Sequence, residues 1–290
     1  MIKSISAYAR LGKTPLVLMV ASSTSFGYLL YHPELTNQLL LSFLGVFFLA
    51  WGAASFNSVQ EKEADSLYQR TRNRPVATGE ISKETASIFA FVSCILGLSL
   101  LYFCGNNYLP MALGVAALII YNLIYTPLKP ISEFALIPGG ISGALPPYIG
   151  WLSAGGETSS PLIWAIMALF FLWQPPHFCL ILLEYAEDYR KKGKFQNLIT
   201  RFSVVRVKKI IAVWLLAFLS IVLLLTILPS FLPQSVRLTL AAGGPLFVAG
   251  FLFHLFMVKK PRYKMLFISL NSFLFSIMAL LTFSSILDTL

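Results

Sequence analysis

The sequence predicts an all-α, polytopic membrane protein, a bundle of nine transmembrane helices around a central cavity with its N-terminus in the cytoplasm. Three observations support this prediction. Of the 290 residues, 57% are hydrophobic and only 12% are charged, whereas a typical soluble domain has about 25% charged residues. Apolar stretches about 20 residues long, the length that crosses a bilayer, recur along the chain. Basic residues are confined to alternate connections between these stretches.

Nine stretches are long and apolar enough to be transmembrane helices. In chain order they are residues 14–31, 37–57, 86–104, 108–127, 134–152, 161–183, 210–228, 236–257 and 265–286. The fifth is the weakest, because Pro138, Pro146, Pro147 and several glycines interrupt it. A membrane helix of this kind is expected to be kinked or packed closely against its neighbours.

The charges in the connections agree with this assignment. With a cytoplasmic N-terminus, the inner segments are 1–13, 58–85, 128–133, 184–209 and 258–264, and they contain 21 of the 22 Lys and Arg residues. The positive-inside rule predicts this asymmetry. The net charge of +10 is therefore attributed to topology and to contact with anionic lipid, and not to nucleic-acid binding.

The chain is predicted to form a single domain over residues 1–290, with its active-site loops at 58–85 and 184–209. These two loops contain eight of the twelve acidic residues. The three cysteines lie in apolar stretches without CxxC spacing, which favours core packing over a disulfide framework or a zinc site.

Three oxygen-bearing side chains at the start of the first active-site loop are spaced four residues apart: Asn57, Glu61 and Asp65. If the second helix continues past the membrane, this spacing places all three on one face. Such a stripe suits Mg²⁺, which takes one or two carboxylates and completes its shell with phosphate and water. Arg70 and Arg74 follow as donors for phosphate oxygens. The alternative is a solvated helix end with ordinary ion pairs.

The loop 184–209 has similar chemistry. Glu184 and Asp188 are four residues apart, and Arg190 follows them. Neighbouring carboxylates repel each other unless a cation neutralises them, so this cluster favours a divalent-metal and diphosphate site. A charged collar at the membrane surface is the alternative. Lys129, the only basic residue of its short inner loop, either reaches a phosphate or only satisfies the topology.

Two of the three histidines, His177 and His254, lie within predicted spans, and His177 is the stronger candidate because of its proline context. His177 directly follows Pro175 and Pro176. A polar residue at membrane depth is a functional candidate, and neutral imidazole is a common metal ligand. The alternative is that His177 only bonds to a carbonyl group that the two prolines leave free.

Together these motifs resemble those of the UbiA-type intramembrane prenyltransferases, and the resemblance covers nearly the whole chain. Residues 57–65, continued by an R-T-x-x-R-P element at 70–75, are similar to the first Asn/Asp-rich motif of that family. The W-x-P-P-H-F element at 173–178 and the D-Y-R-x-x-G element at 188–193 are similar to the second motif of one branch. That branch farnesylates protohaem IX, and the first of these two elements separates it from quinone-directed relatives.

The resemblance implies roles for individual residues. The implied Mg²⁺ ligands and catalytic residues are Asn57, Glu61, Asp65 and Asp188. The residues implied to grip farnesyl diphosphate are Arg70, Arg74, Lys129 and Arg190. The residues implied to contact the substrates or line an aromatic cavity are Tyr121, Tyr125, Tyr148, Trp173 and His177. The implied reaction transfers a farnesyl group to a vinyl group of protohaem IX (haem B), which yields haem O for terminal oxidases.

The resemblance also implies where in the cell the protein lies, and it leaves a second candidate for the acceptor of the farnesyl group. It implies the bacterial cytoplasmic (inner) membrane, with a haem A synthase or oxidase assembly factors as partner proteins. The chain departs from the family pattern at Glu61, where Asp is usual, at Lys62, and at 194–198. These departures concern the acceptor, so a quinone precursor or another aromatic compound is the alternative. A transporter is disfavoured, because the acidic residues lie at helix ends and not inside the spans.

Overall fold

Long helices make up most of the chain. The structure is a computed structural model, and it describes residues 2–104, 108–191 and 198–289. Its helices are α1 (Ile2–Leu11), α2 (Thr14–Tyr31), α3 (Asn37–Gln60), α4 (Lys62–Leu67), α5 (Pro75–Thr78), α6 (Lys83–Cys104), α7 (Leu109–Leu118), α8 (Thr126–Leu128), α9 (Leu136–Ser153), α10 (Pro161–Glu184), α11 (Ala186–Lys191), α12 (Leu198–Arg201), α13 (Val204–Leu224), α14 (Gln234–Met257) and α15 (Tyr263–Leu287). A π-helical segment, Ile119–Tyr125, joins α7 to α8, and a 3₁₀ turn, Glu133–Ala135, precedes α9.

Within the described residues, eight helices are long and apolar enough to cross a membrane. They are α2, α3, α6, the continuous run from α7 to Leu128, α10, α13, α14 and α15. The prediction of an all-α, multi-pass membrane protein is confirmed, whereas the count of nine and the cytoplasmic N-terminus stay predictions. The largest shift is in α13, which begins at Val204 instead of residue 210, because the Ser203 side chain caps it by accepting the Arg206 N–H.

Helix α9 covers the predicted fifth span but is not one of these eight. Glycine and proline residues recur along it, with Pro146 and Pro147 inside the helix. It lies inside the bundle, buried from Ala144 to Ser153, between α2 and α10. A Cβ atom at Gly150 would overlap the carbonyl oxygen of Thr24, and one at Gly27 would overlap that of Pro147. The prediction that this helix packs closely against its neighbours is therefore confirmed.

Helix α9 contacts α2, α3, α7 and α10, and the remaining long helices pack around these. Helices α3, α6 and α7 form one side of the bundle, and α10, α13, α14 and α15 form the larger core on the other side. The last helix closes the ring, because the Ser285 hydroxyl donates to the Leu29 carbonyl oxygen of α2 at 3.1 Å. Large apolar side chains such as Phe91, Val213 and Phe275 point outward and are exposed. This is the arrangement expected when the surrounding solvent is lipid.

The short helices lie in the two long connections and fix their path. Helices α4 and α5 lie in the first connection, and α11 and α12 lie in the second. Arg10 ties α1 to the end of the first connection through an ion pair with Glu80 at 2.7 Å. Gly79 ends α5 with a left-handed φ of 79°, a conformation that glycine adopts without strain. The connections are thus folded structures that can hold side chains in place.

Candidate active site

The two predicted acidic segments meet in the structure. The backbone N–H of Gln69 donates to the Asp188 carboxylate at 2.8 Å. The rings of Tyr68 and Tyr189 lie with their centroids 4.8 Å apart, and Arg70 Nη2 lies 3.5 Å from the Tyr189 hydroxyl. The segment after α4 and the segment of α11 therefore form one surface, although they are about 120 residues apart in the sequence.

A cavity of about 440 Å³ opens beside this surface and is rich in charge. Its charged lining includes Glu61, Asp65, Arg70, Arg74 and Lys129. Glu61 lies between α3 and α4, yet its N–H donates to the Asn57 carbonyl and its own carbonyl accepts the Asp65 N–H. The turn-by-turn hydrogen bonding of a helix thus continues through the break. The predicted stripe of Asn57, Glu61 and Asp65 therefore lies along one face.

Two cationic side chains pair with the Glu61 and Asp65 carboxylates, and a third bonds to the amide of Asn57. Arg74 Nη1 contacts both carboxylate oxygens of Asp65, at 2.6 and 2.7 Å, and lies 3.4 Å from Glu61 Oε2. The Lys129 ammonium donates to Glu61 Oε1 at 2.8 Å. The Lys13 ammonium donates to the Asn57 side-chain carbonyl at 2.6 Å.

Burial and neighbouring charges set the protonation of these groups. Burial by itself raises the pKa of Glu61, but Lys129 and Lys13 outweigh it and hold that pKa at about 2. Burial also acts to lower the pKa of Lys129, but Glu61 raises it above its ordinary value. For Asp65, burial raises the pKa, and Arg74 opposes this rise. Glu61 and Lys129 are therefore both charged near neutral pH.

Lys13 is a site residue that the sequence reasoning missed. It lies between α1 and α2 in the left-handed conformation, with φ 52° and ψ 47°, the only such non-glycine residue among those described. That conformation costs about 1–2 kcal/mol for a residue with a Cβ atom. Burial, followed by the charges of Arg74 and Lys129, lowers the Lys13 pKa to about 7. In the sequence, Lys13 is one of three basic residues before the first span, and nothing distinguishes it.

A second, largely apolar cavity of about 300 Å³ adjoins the charged one. Three residues line both cavities: Lys129, Leu136 and Phe178. The polar part of its lining includes Asn57, Lys13, Tyr121, Tyr125, Gln174 and His177. The rings of Tyr121 and Tyr125 are neighbours, with centroids 5.6 Å apart. An anionic group and an attached hydrocarbon could therefore occupy adjacent compartments.

His177 has a partner that the sequence did not reveal. Its Nδ1 lies 2.9 Å from the side-chain oxygen of Asn271 on α15. Its ring packs against those of Trp173 and Phe267, with centroids 4.3 and 4.6 Å away. The alternative interpretation, a bond to a carbonyl freed by the prolines, is wrong for Nδ1. Asn271 is 94 residues away in the chain, so no local pattern indicated it.

Of the remaining predicted site residues, Arg70 lines a cavity, whereas Tyr148 and Trp173 line neither. Arg70 lines the charged cavity and packs over the Tyr185 ring at 5.8 Å. Arg190 is exposed and donates from Nε to the Ile199 carbonyl at 3.3 Å. Neither Arg190 nor Asp188 belongs to the lining of either cavity. Gly193 and residues 194–197 of the second motif lie outside the described residues.

The side chains in the charged cavity fit a divalent cation. Glu61 and Asp65 converge on one positively charged atom, Arg74 Nη1, which lies within 3.4 Å of both carboxylates. These two carboxylates, with the amide oxygen of Asn57 from the adjoining apolar cavity, are ligands that Mg²⁺ accepts when substrate phosphate completes the shell. Among the described residues, no group of three or more His, Cys, Asp or Glu side chains could hold a metal ion alone. The set therefore suits a metal that arrives with phosphate.

The fold and the two cavities define a class of protein. It is a helical membrane protein whose charged cavity, at the ends of its helices, adjoins an apolar cavity between them, which suits an amphipathic anionic substrate. Residues 18–278 match the UbiA prenyltransferase family. The chain belongs to this family, and it is an integral, multi-pass membrane prenyltransferase.

Individual relatives agree with this assignment. A protein named protoheme IX farnesyltransferase from Nitratidesulfovibrio vulgaris is 33% identical over 248 residues, which cover 85% of this chain and 86% of that protein. Another of the same name, from Oleidesulfovibrio alaskensis, is 35% identical over 78% and 79% of the two chains. The resemblance to this branch of the family is confirmed.

Solved structures share the fold. A structure described for digeranylgeranylglyceryl phosphate synthase superposes with a TM-score of 0.73 at 19% identity, over 99% of this chain and 98% of that one. A UbiA homolog from Archaeoglobus fulgidus bound to GPP and Mg²⁺ gives 0.70 at 17% identity, over 97% and 99%. At these identities the likeness establishes the architecture.

Proposed function

We propose that this protein transfers the farnesyl group of farnesyl diphosphate to a vinyl group of protohaem IX and thereby makes haem O. The observation that carries the proposal is the junction of the charged and apolar cavities at Lys129. The charged cavity suits a diphosphate, and the apolar cavity suits the attached hydrocarbon. The names of the curated relatives, which align over most of their length, support protohaem IX as the acceptor.

The charged cavity binds the diphosphate in this proposal. Arg70, Arg74 and Lys129 donate to its oxygens, and Arg's planar fork favours such contacts. Asn57, Glu61 and Asp65 would hold Mg²⁺, assisted by Asp188, and Arg190 would contribute positive charge from α11. When bound, the metal neutralises charge on the leaving group. The fixed cations stabilise the negative charge that develops on the departing diphosphate.

The bond changes follow from this arrangement. The C1–O bond of farnesyl diphosphate breaks, and its electron pair leaves with the diphosphate. The allylic cation accepts the π electrons of the vinyl group, which forms a new carbon–carbon bond at the terminal carbon. Water then adds its oxygen to the adjacent cationic carbon and loses a proton, which gives a hydroxyethylfarnesyl substituent. The faces of Tyr121 and Tyr125 shield the cation from early attack by water.

His177 contacts the acceptor in this proposal, and Trp173, which lines neither cavity, supports it through the contact between their rings. The basic connections lie on the cytoplasmic side of a bacterial cytoplasmic membrane, as their Lys and Arg content favours. The haem O product is passed to a haem A synthase or to oxidase assembly factors.

The proposal is tested by incubating the purified protein with Mg²⁺, farnesyl diphosphate and haem B and identifying the pigments by mass spectrometry. Haem O is expected, and chelation of the metal should abolish its formation. Asp65→Asn should be inactive, whereas Glu84→Gln, which removes an exposed carboxylate outside both cavity linings, should not. A parallel incubation with 4-hydroxybenzoate tests the alternative acceptor. Prenylation of that compound, with haem B unchanged, would refute the proposal.

A further inference from the structure

The hydrogen bonds around His177 determine which of its ring nitrogens carries the proton. Asn271 donates from its side-chain nitrogen to the Phe267 carbonyl oxygen, one turn earlier in α15, at 2.5 Å. This contact orients the amide, so the Asn271 oxygen faces His177 at 2.9 Å. An amide oxygen can only accept a hydrogen bond, and therefore His177 Nδ1 must be the donor. In the neutral ring, Nε2 then carries a lone pair and no proton.

The ring is also fixed in direction. The indole of Trp173 and the ring of Phe267 lie within 4.6 Å of its centroid. His177 lines the apolar cavity, whereas Trp173, Phe267 and Asn271 do not. With Nδ1 bound to Asn271, Nε2 is the ring nitrogen of this cavity-lining residue that is left for a ligand. No described residue forms a hydrogen bond with this nitrogen.

We propose that Asn271 is a positioning residue, which holds His177 as the Nδ1–H tautomer so that its Nε2 ligates the iron of the porphyrin acceptor. This inference rests on the proposed function, because it takes the acceptor to be haem B. Imidazole nitrogens are common ligands of haem iron. A hydrogen bond from the other ring nitrogen orients the ligand and raises its basicity, and loss of such a partner typically weakens metal binding about 10–100-fold. Ligation would fix the position of the vinyl group relative to the charged cavity.

Haem binding by the purified full-length protein tests this role. Haem B is titrated into wild type, His177→Ala and Asn271→Leu, and the Soret band is followed. The band of histidine-ligated haem is expected for wild type and should be lost in His177→Ala. Asn271→Leu keeps the volume but lacks the acceptor oxygen, and should bind haem B about 10–100-fold more weakly. Ser272→Ala, at the exposed next position of α15, is the matched control and should behave as wild type.

Metal-free protoporphyrin IX separates ligation from packing. It lacks iron, so its binding, followed by fluorescence, should be the same in wild type and Asn271→Leu. Equal weakening for haem B and the metal-free porphyrin would overturn the proposal, since Asn271 would then only shape the cavity. An unchanged Soret band in His177→Ala would also overturn it, while continued farnesylation of haem B would leave the proposed function intact. If wild type neither binds nor farnesylates haem B, both proposals fail.

The tautomer can also be determined in the wild-type protein, so the result does not depend on the folding of a variant. The chain has only three histidines, so ¹⁵N NMR of histidine-labelled, haem-free wild type can resolve their ring nitrogens. His177 is expected to show a protonated Nδ1 and an unprotonated Nε2. An Nε2–H ring at His177 would overturn the proposal.

Discussion

Replacing Lys129 by Met is the most direct test of how the two cavities work together. Lys129 lines both cavities, and its ammonium bonds to Glu61 at 2.8 Å. The sequence left two interpretations of this residue, phosphate binding and membrane topology. Methionine keeps the length and removes the charge. Only the phosphate-binding interpretation predicts loss of turnover in correctly inserted protein.

The magnitude follows from the contacts of Lys129. At 2.8 Å, the attraction to Glu61 is about 6 kcal/mol with an effective dielectric constant of about 20. Desolvation cancels most of it, and a charge-assisted hydrogen bond contributes about 1.5–3 kcal/mol net. A donor aimed at developing negative charge contributes about 10²–10³-fold to kcat. Because Lys129 must leave Glu61 to reach a diphosphate, we expect a loss near the lower end, about 100-fold.

The assay is steady-state turnover of farnesyl diphosphate, with kcat/KM expressed per correctly folded molecule. Thermal melting and insertion into membranes are measured in parallel. Lys129→Arg keeps the charge and should recover part of the activity, although Arg has a different donor geometry. Wild-type kcat/KM in well-folded Lys129→Met protein would refute the reasoning and leave topology as the role of Lys129.

Three further predictions concern other parts of the molecule. Asp188→Ala and Asp65→Ala should each abolish turnover while the protein still inserts into membranes, as a turnover assay and membrane yields would show; full activity in either would contradict its assigned role. Lys13→Gly removes the contact with Asn57 but also relieves the strain of the left-handed backbone, so turnover should fall without loss of melting temperature. Lys13→Ala removes the same contact and keeps the strain, so it should lower both turnover and melting temperature. Arg237 donates to the carbonyl oxygens of residues 226, 229 and 232. Arg237→Ala should therefore lower the free energy of unfolding by about 3 kcal/mol and leave kcat unchanged. An unaltered melting curve would show that these bonds contribute little.

Features that depend on local sequence could be predicted. A long apolar stretch specifies a membrane helix because every backbone group is satisfied within the segment itself. The stripe of Asn57, Glu61 and Asp65 was predictable for the same reason, since four-residue spacing fixes a helical face. The weak fifth span was also identified correctly as closely packed, because its glycines and prolines are compatible with burial among other helices.

Features that depend on contacts between distant segments could not be predicted. Lys13 enters the site only because a left-handed turn aims its side chain at Asn57, 44 residues later. Asn271 reaches His177 across 94 residues, through the packing of α10 against α15. Motif similarity drew attention to Arg190, but its side chain bonds to the Ile199 carbonyl outside both cavity linings.

Because the charged and apolar cavities meet at Lys129, separate sets of side chains recognise the two parts of an amphipathic donor. Residues around α4 and α5 bind the charged head. The length of the hydrocarbon is limited deeper in the bundle, where Val20, Val46 and Leu49 line the apolar cavity. Larger side chains at these three positions would therefore shorten the accepted donor without disturbing the carboxylates. Donor length and reaction chemistry are independently adjustable in this architecture.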